Sequence, residues 1–199
     1  RQRLDNGKPI GETRALVVLQ GGTIVAERYG PGYGPQTRFV GWSMTKSITA
    51  VMIGMLVADG RLRLNESAPV PTWQRPGDPR GEITLKQLLQ MRSGLRHSEM
   101  TPAVHDADTV RMLFLEGRGH TAAYAEAQPL EAVPGARFEY SSASSIILAD
   151  VAAHALMERR EPAARRRIVD EFLHTRLFEP LGMASMVAEY DAAGTLAGS

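Results

Sequence analysis

The chain has 199 residues, 43% of them hydrophobic, which suits one domain able to bury a core. Its 23 basic and 22 acidic residues leave a formal charge of +1, so no global charge points to nucleic acid or a membrane surface. Absence of cysteine excludes disulfides, a thiol nucleophile and thiolate metal sites, and no apolar run reaches the ~18 residues of a membrane span.

Residues 1–13 are polar and read as a lead-in. The chain does not open on Met or on a signal-like segment, so its start is read as a product of processing or cutting. Ala15–Gln20 and Thr23–Tyr29 are β-type runs joined by Gly21-Gly22, a hairpin signal because glycine accepts the positive φ of tight turns. Gly30 to Pro35 form a loop. Gly41 to Ser47 read as the first turn of a helix that continues through Ile48, Val51, Met52, Ile53, Met55, Leu56 and Val57 and stops at Asp59-Gly60. Leu62 and Leu64 suit a short extended piece, and Pro69, Pro71, Pro76 and Pro79 forbid a long element.

Thr84 and Gln87 form a capping-box pattern ahead of a helix with Leu85, Leu88 and Leu89 inward, ending near Arg92-Ser93-Gly94. Residues 95–105 look irregular. Asp108 to Glu116 reads as a short helix with Val110, Leu113 and Phe114 inward, closed by Gly117 to His120. A turn at Pro134-Gly135 precedes a helix from about Ser144 to Arg159, for which Ser142 reads as the N-cap. Pro162 opens a last helix with Ile168, Phe172 and Leu177 inward, ended by Pro180 and Gly182. The tail from Tyr190 is small-residue loop, with Tyr190 and Asp191 read as solvated in preference to reaching the cleft. One hairpin followed by helices is lopsided, because an isolated hairpin is marginally stable. The sequence therefore reads as ending before further strands.

Ser43 and Lys46 stand three positions apart, about 60° around a helix, and share a face. A serine hydroxyl becomes a strong nucleophile when a neighbour takes its proton, and a lysine amine serves once burial makes it a free base. With 11 Ser and 3 Lys, composition alone gives about 0.17 such pairs, so the spacing by itself is weak. Lysine is nevertheless rare here beside 20 Arg, and Arg cannot act as a base at neutral pH.

Taken together, Ser43-x-x-Lys46, Ile83 to Leu89 with Ser93-Gly94-Leu95, Tyr140-Ser141-Ser142 and Leu177 to Met183 resemble, in that order, the serine β-lactamase and penicillin-binding-protein superfamily. The likeness spans about residues 13–199. It is greatest to the branch of class C β-lactamases, esterases, D-aminopeptidases and hydrolases of 6-aminohexanoate oligomers. The resemblance implies an α+β, β-lactamase/transpeptidase-like fold, with residues 1–199 the N-terminal portion of one domain (hairpin about 15–29, helical part about 43–183). It implies Ser43 as the acylating nucleophile, Lys46 as the group that accepts or relays its proton, and Tyr140 as the tyrosine of a Tyr-x-Asn motif. Ser142 falls at the Asn place and is expected at the substrate; this departure weighs against β-lactams and towards esters and amides. No Lys-[Ser/Thr]-Gly or His-x-Gly occurs, so only Ser43 is expected to supply an oxyanion donor.

The function expected is a serine hydrolase working through an acyl-enzyme on a small ester, amide or β-lactam. The alternatives are a covalent penicillin-binding sensor without turnover and an inactive fragment. No cofactor, metal or nucleic-acid partner is expected, and the oligomeric state is left open. Family habit points to export. Trp42 reads as packing beside the nucleophile, and Glu99 and Asp106 as surface carboxylates. His97, His105, His120, His154 and His174 lack His-Glu-x-x-His spacing. The arginines at 159, 160 and 165–167 read as a solvated face. The glycine clusters read as turns, not phosphate cradles.

Overall fold

The computed structural model describes residues 11–158 and 161–198. The lead-in expected over residues 1–13 lies outside them up to residue 10, as do Arg159 and Arg160 of the arginine face. The chain divides at Val40/Gly41 into two compact units.

In the first unit, β1 (Ala15–Gln20) and β2 (Thr23–Tyr29) pair antiparallel as expected. Gly21 and Gly22 take φ of +56° and +78°, the left-handed conformation a two-residue hairpin turn needs. Val18 pairs with Ala26 and Leu19 with Ile24, so Val25 is an extra residue in a β-bulge. Leu16 to Leu19, Ile24 and Val25 are all exposed.

The second unit holds the core. A 3-10 turn (Trp42–Met44) leads into α1 (Thr45–Ala58), so the α-helix starts four residues after the expected Gly41 and the turn before it is tighter. Thr49, Met52, Ile53 and Leu56 are buried at spacings of three and four. Lys46 stands one turn before Thr49 on the same stripe. Gly60, at φ +73°, terminates the helix as expected. No strand forms at Leu62 and Leu64; Ser67 and Thr84 make an isolated bridge instead.

The helix α2 (Leu85–Leu89) begins with the expected capping box: Thr84 Oγ1 accepts from Gln87 N–H, and Gln87 Oε1 accepts from Thr84 N–H. Asp108–Phe114 form α3, in which Met112 is buried but Phe114 is exposed, contrary to expectation. A further helix, α4 (Thr121–Glu126), was not read from the sequence. It is short and alanine-rich, and its N-cap is His120.

The centre of the core is α5 (Ser142–Leu156), buried on nearly every side and packed against α1, α2, α3, α4 and α6. A helix apolar all round belongs in an interior. Ser141, not Ser142, is its N-cap, with Oγ accepting from Ser144 N–H. Pro162–Leu173 form α6, with Pro at the first turn as expected, and a π-helical turn follows over His174–Phe178. The tail is not solvated loop. Asp191 Oδ2 accepts from the N–H and hydroxyl of Thr121, and Oδ1 from the N–H groups of Ala193 and Thr195. Tyr190 donates to Asp170 Oδ1 at 3.3 Å.

Candidate active site

The geometry around Ser43 is set by three segments of the second unit. The 3-10 turn before α1 presents Ser43, exposed to solvent. Trp42, just before it, has φ +44°, a left-handed conformation that a bulky residue adopts only when its surroundings hold it there. The residue is 60% exposed and its ring meets the Phe114 ring edge-on at 6.4 Å, so it packs, but on the rim.

Lys46 stands one turn along and points back. Its Nζ lies within hydrogen-bond distance of Ser43 Oγ at 3.0 Å and of Ser142 Oγ at 3.1 Å. The same Nζ lies 5.0 Å from the centroid of the Tyr140 ring, within cation–π range. All four residues expected at the site are thus brought together: Ser43 from the turn before α1, Lys46 from the start of α1, Ser142 from the first turn of α5, and Tyr140 from the segment leading into α5. Tyr140 stays 42% exposed.

Glu99, expected at the surface, belongs to this cluster. Its Oε1 accepts from Ser142 N–H and from His97 Nε2 at 3.1 Å. Its Oε2 accepts from Ser142 Oγ at 3.1 Å and from Thr109 Oγ1 at 3.0 Å. Four donors occupy the roughly four lone-pair sites of a carboxylate. Burial pushes the Glu99 carboxyl up, but the donors from His97 and Ser142 outweigh it and hold its pKa at about 2. Asp106, by contrast, is exposed as expected.

The loop carrying Glu99 is pinned onto the start of α3. Ser98 donates from N–H and Oγ to Asp108 Oδ2, both at 2.9 Å, and Thr109 N–H donates back to Ser98 O at 3.2 Å. His97 is buried, its Nε2 also lies 2.9 Å from Thr109 Oγ1, and its Nδ1 has no partner. The proton therefore belongs on Nε2, facing the carboxylate. No sequence signal marked Glu99: its loop has no periodicity, and besides His97 its partners lie 10 and 43 residues away.

An open polar groove of about 450 Å³ lies beside this loop, lined by residues including Arg96, His97, Asp108, Arg111 and Glu139. Ser43 and Lys46 are not among its lining residues, and Ser43 is exposed to solvent. Among the described residues, no group of three or more His, Asp or Glu is placed to hold a metal ion, and no helix is long and apolar enough to cross a membrane.

Solved structures share this fold. A Bacillus anthracis protein described as a 6-aminohexanoate-dimer hydrolase superposes over 94% of this chain and 49% of its own, with a TM-score of 0.70 and 21% identity. A D-stereospecific amidohydrolase from Streptomyces sp. is 27% identical over 80% of this chain and 46% of its own, with a TM-score of 0.53. The hairpin and helical lobe are thus those of a β-lactamase-like fold. The Beta-lactamase family model matches residues 12–197, and the chain belongs to that family. Among characterised sequences, the 6-aminohexanoate-dimer hydrolase of Paenarthrobacter ureafaciens is 28% identical over 89 residues, 44% of this chain and 22% of that protein. The chain spans about half the length or less of these relatives.

Proposed function

We propose that this chain carries the nucleophile and base of a serine hydrolase that cleaves a small ester or amide through an acyl-enzyme. The observation that carries this reading is Lys46 Nζ, held between Ser43 Oγ at 3.0 Å and Ser142 Oγ at 3.1 Å. As the free amine, Lys46 takes the Ser43 proton while Oγ attacks the substrate carbonyl. A tetrahedral oxyanion forms. The Ser43 N–H lies in the first turn, where helix donors lack an intrahelical acceptor, and serves as one stabilising donor. The C–O or C–N bond to the leaving group then breaks, and the proton held by Lys46 passes to that group, with Tyr140 at the Lys46 end of the route. Water attacks the acyl-enzyme by the reverse sequence and frees Ser43. Ser142 forms the wall bordering the substrate and holds Lys46.

Amidohydrolases among the relatives support the amide side of this reading. The test uses the whole protein containing residues 1–199 and a fluorophosphonate probe, which phosphonylates an activated serine. Ser43→Ala is expected to abolish labelling, and Lys46→Ala to slow it by about 10²–10⁴-fold, the range of a general base. Undiminished labelling of Ser43→Ala overturns the assignment.

A further inference from the structure

A hydroxyl is an ambiguous partner for a lysine base. It can donate into the amine's lone pair or accept from an amine N–H. If Ser142 donated to Lys46, the lone pair would be spent on Ser142 and could not take the Ser43 proton. The direction of the Ser142 hydrogen bond therefore decides whether Lys46 is competent.

We propose that Glu99 is a positioning residue that fixes this direction: it takes the Ser142 hydroxyl proton, so that Ser142 offers Lys46 only lone pairs and the Lys46 lone pair is left aimed at Ser43. The inference rests on the reading of Ser43 and Lys46 as nucleophile and base. Ser142 Oγ lies 3.1 Å from both Glu99 Oε2 and Lys46 Nζ. An ionised carboxylate accepts and cannot donate, so the proton between Ser142 and Glu99 has one possible owner. Ser142 Oγ must then accept from Lys46.

The carboxylate itself cannot turn away. His97 and the Ser142 N–H hold Oε1, and Thr109 and the Ser142 hydroxyl hold Oε2. The clamp is built of buried or part-buried groups, and the loop that carries Glu99 is tied to Asp108. Such support is what keeps a site group within the narrow tolerance that proton transfer needs. Glu99 with Ser142 thereby does in two residues what an amide carbonyl, an acceptor only, does in one. That equivalence supplies the test.

Fluorophosphonate labelling of the whole protein is followed as a function of probe concentration, separating probe binding from the bond-forming rate, with melting temperature as a check on folding. Glu99→Gln, which can donate to Ser142 and so leave its hydroxyl direction unset, is expected to slow the bond-forming step about 10–100-fold, the order of a misplaced reacting group, with probe binding unchanged. Ser142→Ala is expected to be as slow. Ser142→Asn is expected to label faster than Ser142→Ala, and Glu99→Gln to change the Ser142→Asn rate by less than about threefold, because the amide carbonyl accepts from Lys46 while the amide NH2 can donate to the carbonyl that the glutamine retains.

A merely structural role for Glu99 would not be rescued by Ser142→Asn. Unaltered labelling by Glu99→Gln, or a Glu99→Gln change that slows Ser142→Asn as much as it slows the unaltered protein, overturns the proposal. If Glu99→Gln melts too low to assay, Ser142→Asn as slow as Ser142→Ala overturns it, because both retain Glu99. Ser43→Ala labelled at full rate would instead overturn the reading of the nucleophile, a different outcome.

Discussion

Glu99 is also where residue-level chemistry reaches stability. Its carboxyl pKa is about 2 in the folded protein, against an ordinary value near 4.3 in the unfolded chain. A depressed pKa means that the ionised form stabilises the fold. That contribution is complete above about pH 4.5 and disappears as pH falls through about 2. The groups facing Glu99 are His97 and Thr109 on its own side, and Ser142 with Lys46 behind it. Asp78, also held at about 2 by Arg80, and Asp108 add to the acid sensitivity of the chain. Comparing Glu99→Gln with the unaltered protein by denaturant unfolding between pH 5 and 2.5 removes that background. The unaltered protein should lose stability more steeply, and parallel profiles would show that Glu99 is not the linked group. The spacing of Ser43 and Lys46 was legible because helix geometry alone puts them on one face. Glu99 was not, because apart from His97 its partners Thr109 and Ser142 are distant in the chain and its own neighbours give no pattern.

At the scale of elements, legibility followed the strength of local signals. The Thr84–Gln87 box and the Gly21-Gly22 turn are complete within four residues, and both formed as expected. The helix α4 carries no such signal: six residues are below the length at which a helix is stable on its own. Its first turn is held instead by Asp191, 70 residues away. The start of α5 was misplaced because four serines at 141, 142, 144 and 145 compete for the cap. Only burial and the Lys46 and Glu99 contacts decide that Ser142 lies inside the helix. After α2 the chain turns at Gly94, with φ +75°. A Cβ there would stand 2.2 Å from Ala132 O. Gly94→Ala should cost about 1–3 kcal/mol from backbone conformation alone, with the clash added to it. A melting temperature close to the unaltered value would show that the 94–132 contact is loose.

At the scale of the molecule, the hairpin and the helical unit differ in how they are held. The hairpin exposes apolar side chains on both strands, whereas the helical unit buries Met52, Ile53, Leu56, Trp73, Leu85, Leu88, Ile146, Ile147 and Leu173 completely. The expected lopsidedness was visible in composition along the chain, since two β-type runs cannot form a sheet with a core of their own. What composition could not show was which helix lies at the centre. Nothing in the apolar content of α5 ranks it above α1; its burial comes from packing against α1, α2, α3, α4 and α6.

The chain has two tryptophans, and the fold gives them different optical lives. Trp73 is fully buried, with Nε1 donating to Glu126 O at 2.9 Å, while Trp42 is 60% exposed and adjoins Ser43. Its emission should therefore be red-shifted and open to acrylamide, and that of Trp73 blue and shielded. Trp42→Phe should leave a spectrum that acrylamide barely quenches; strong residual quenching would mean that the core around Trp73 opens readily. One indole then reports whether the helical unit is folded, and the other whether anything has settled beside Ser43, in the same cuvette.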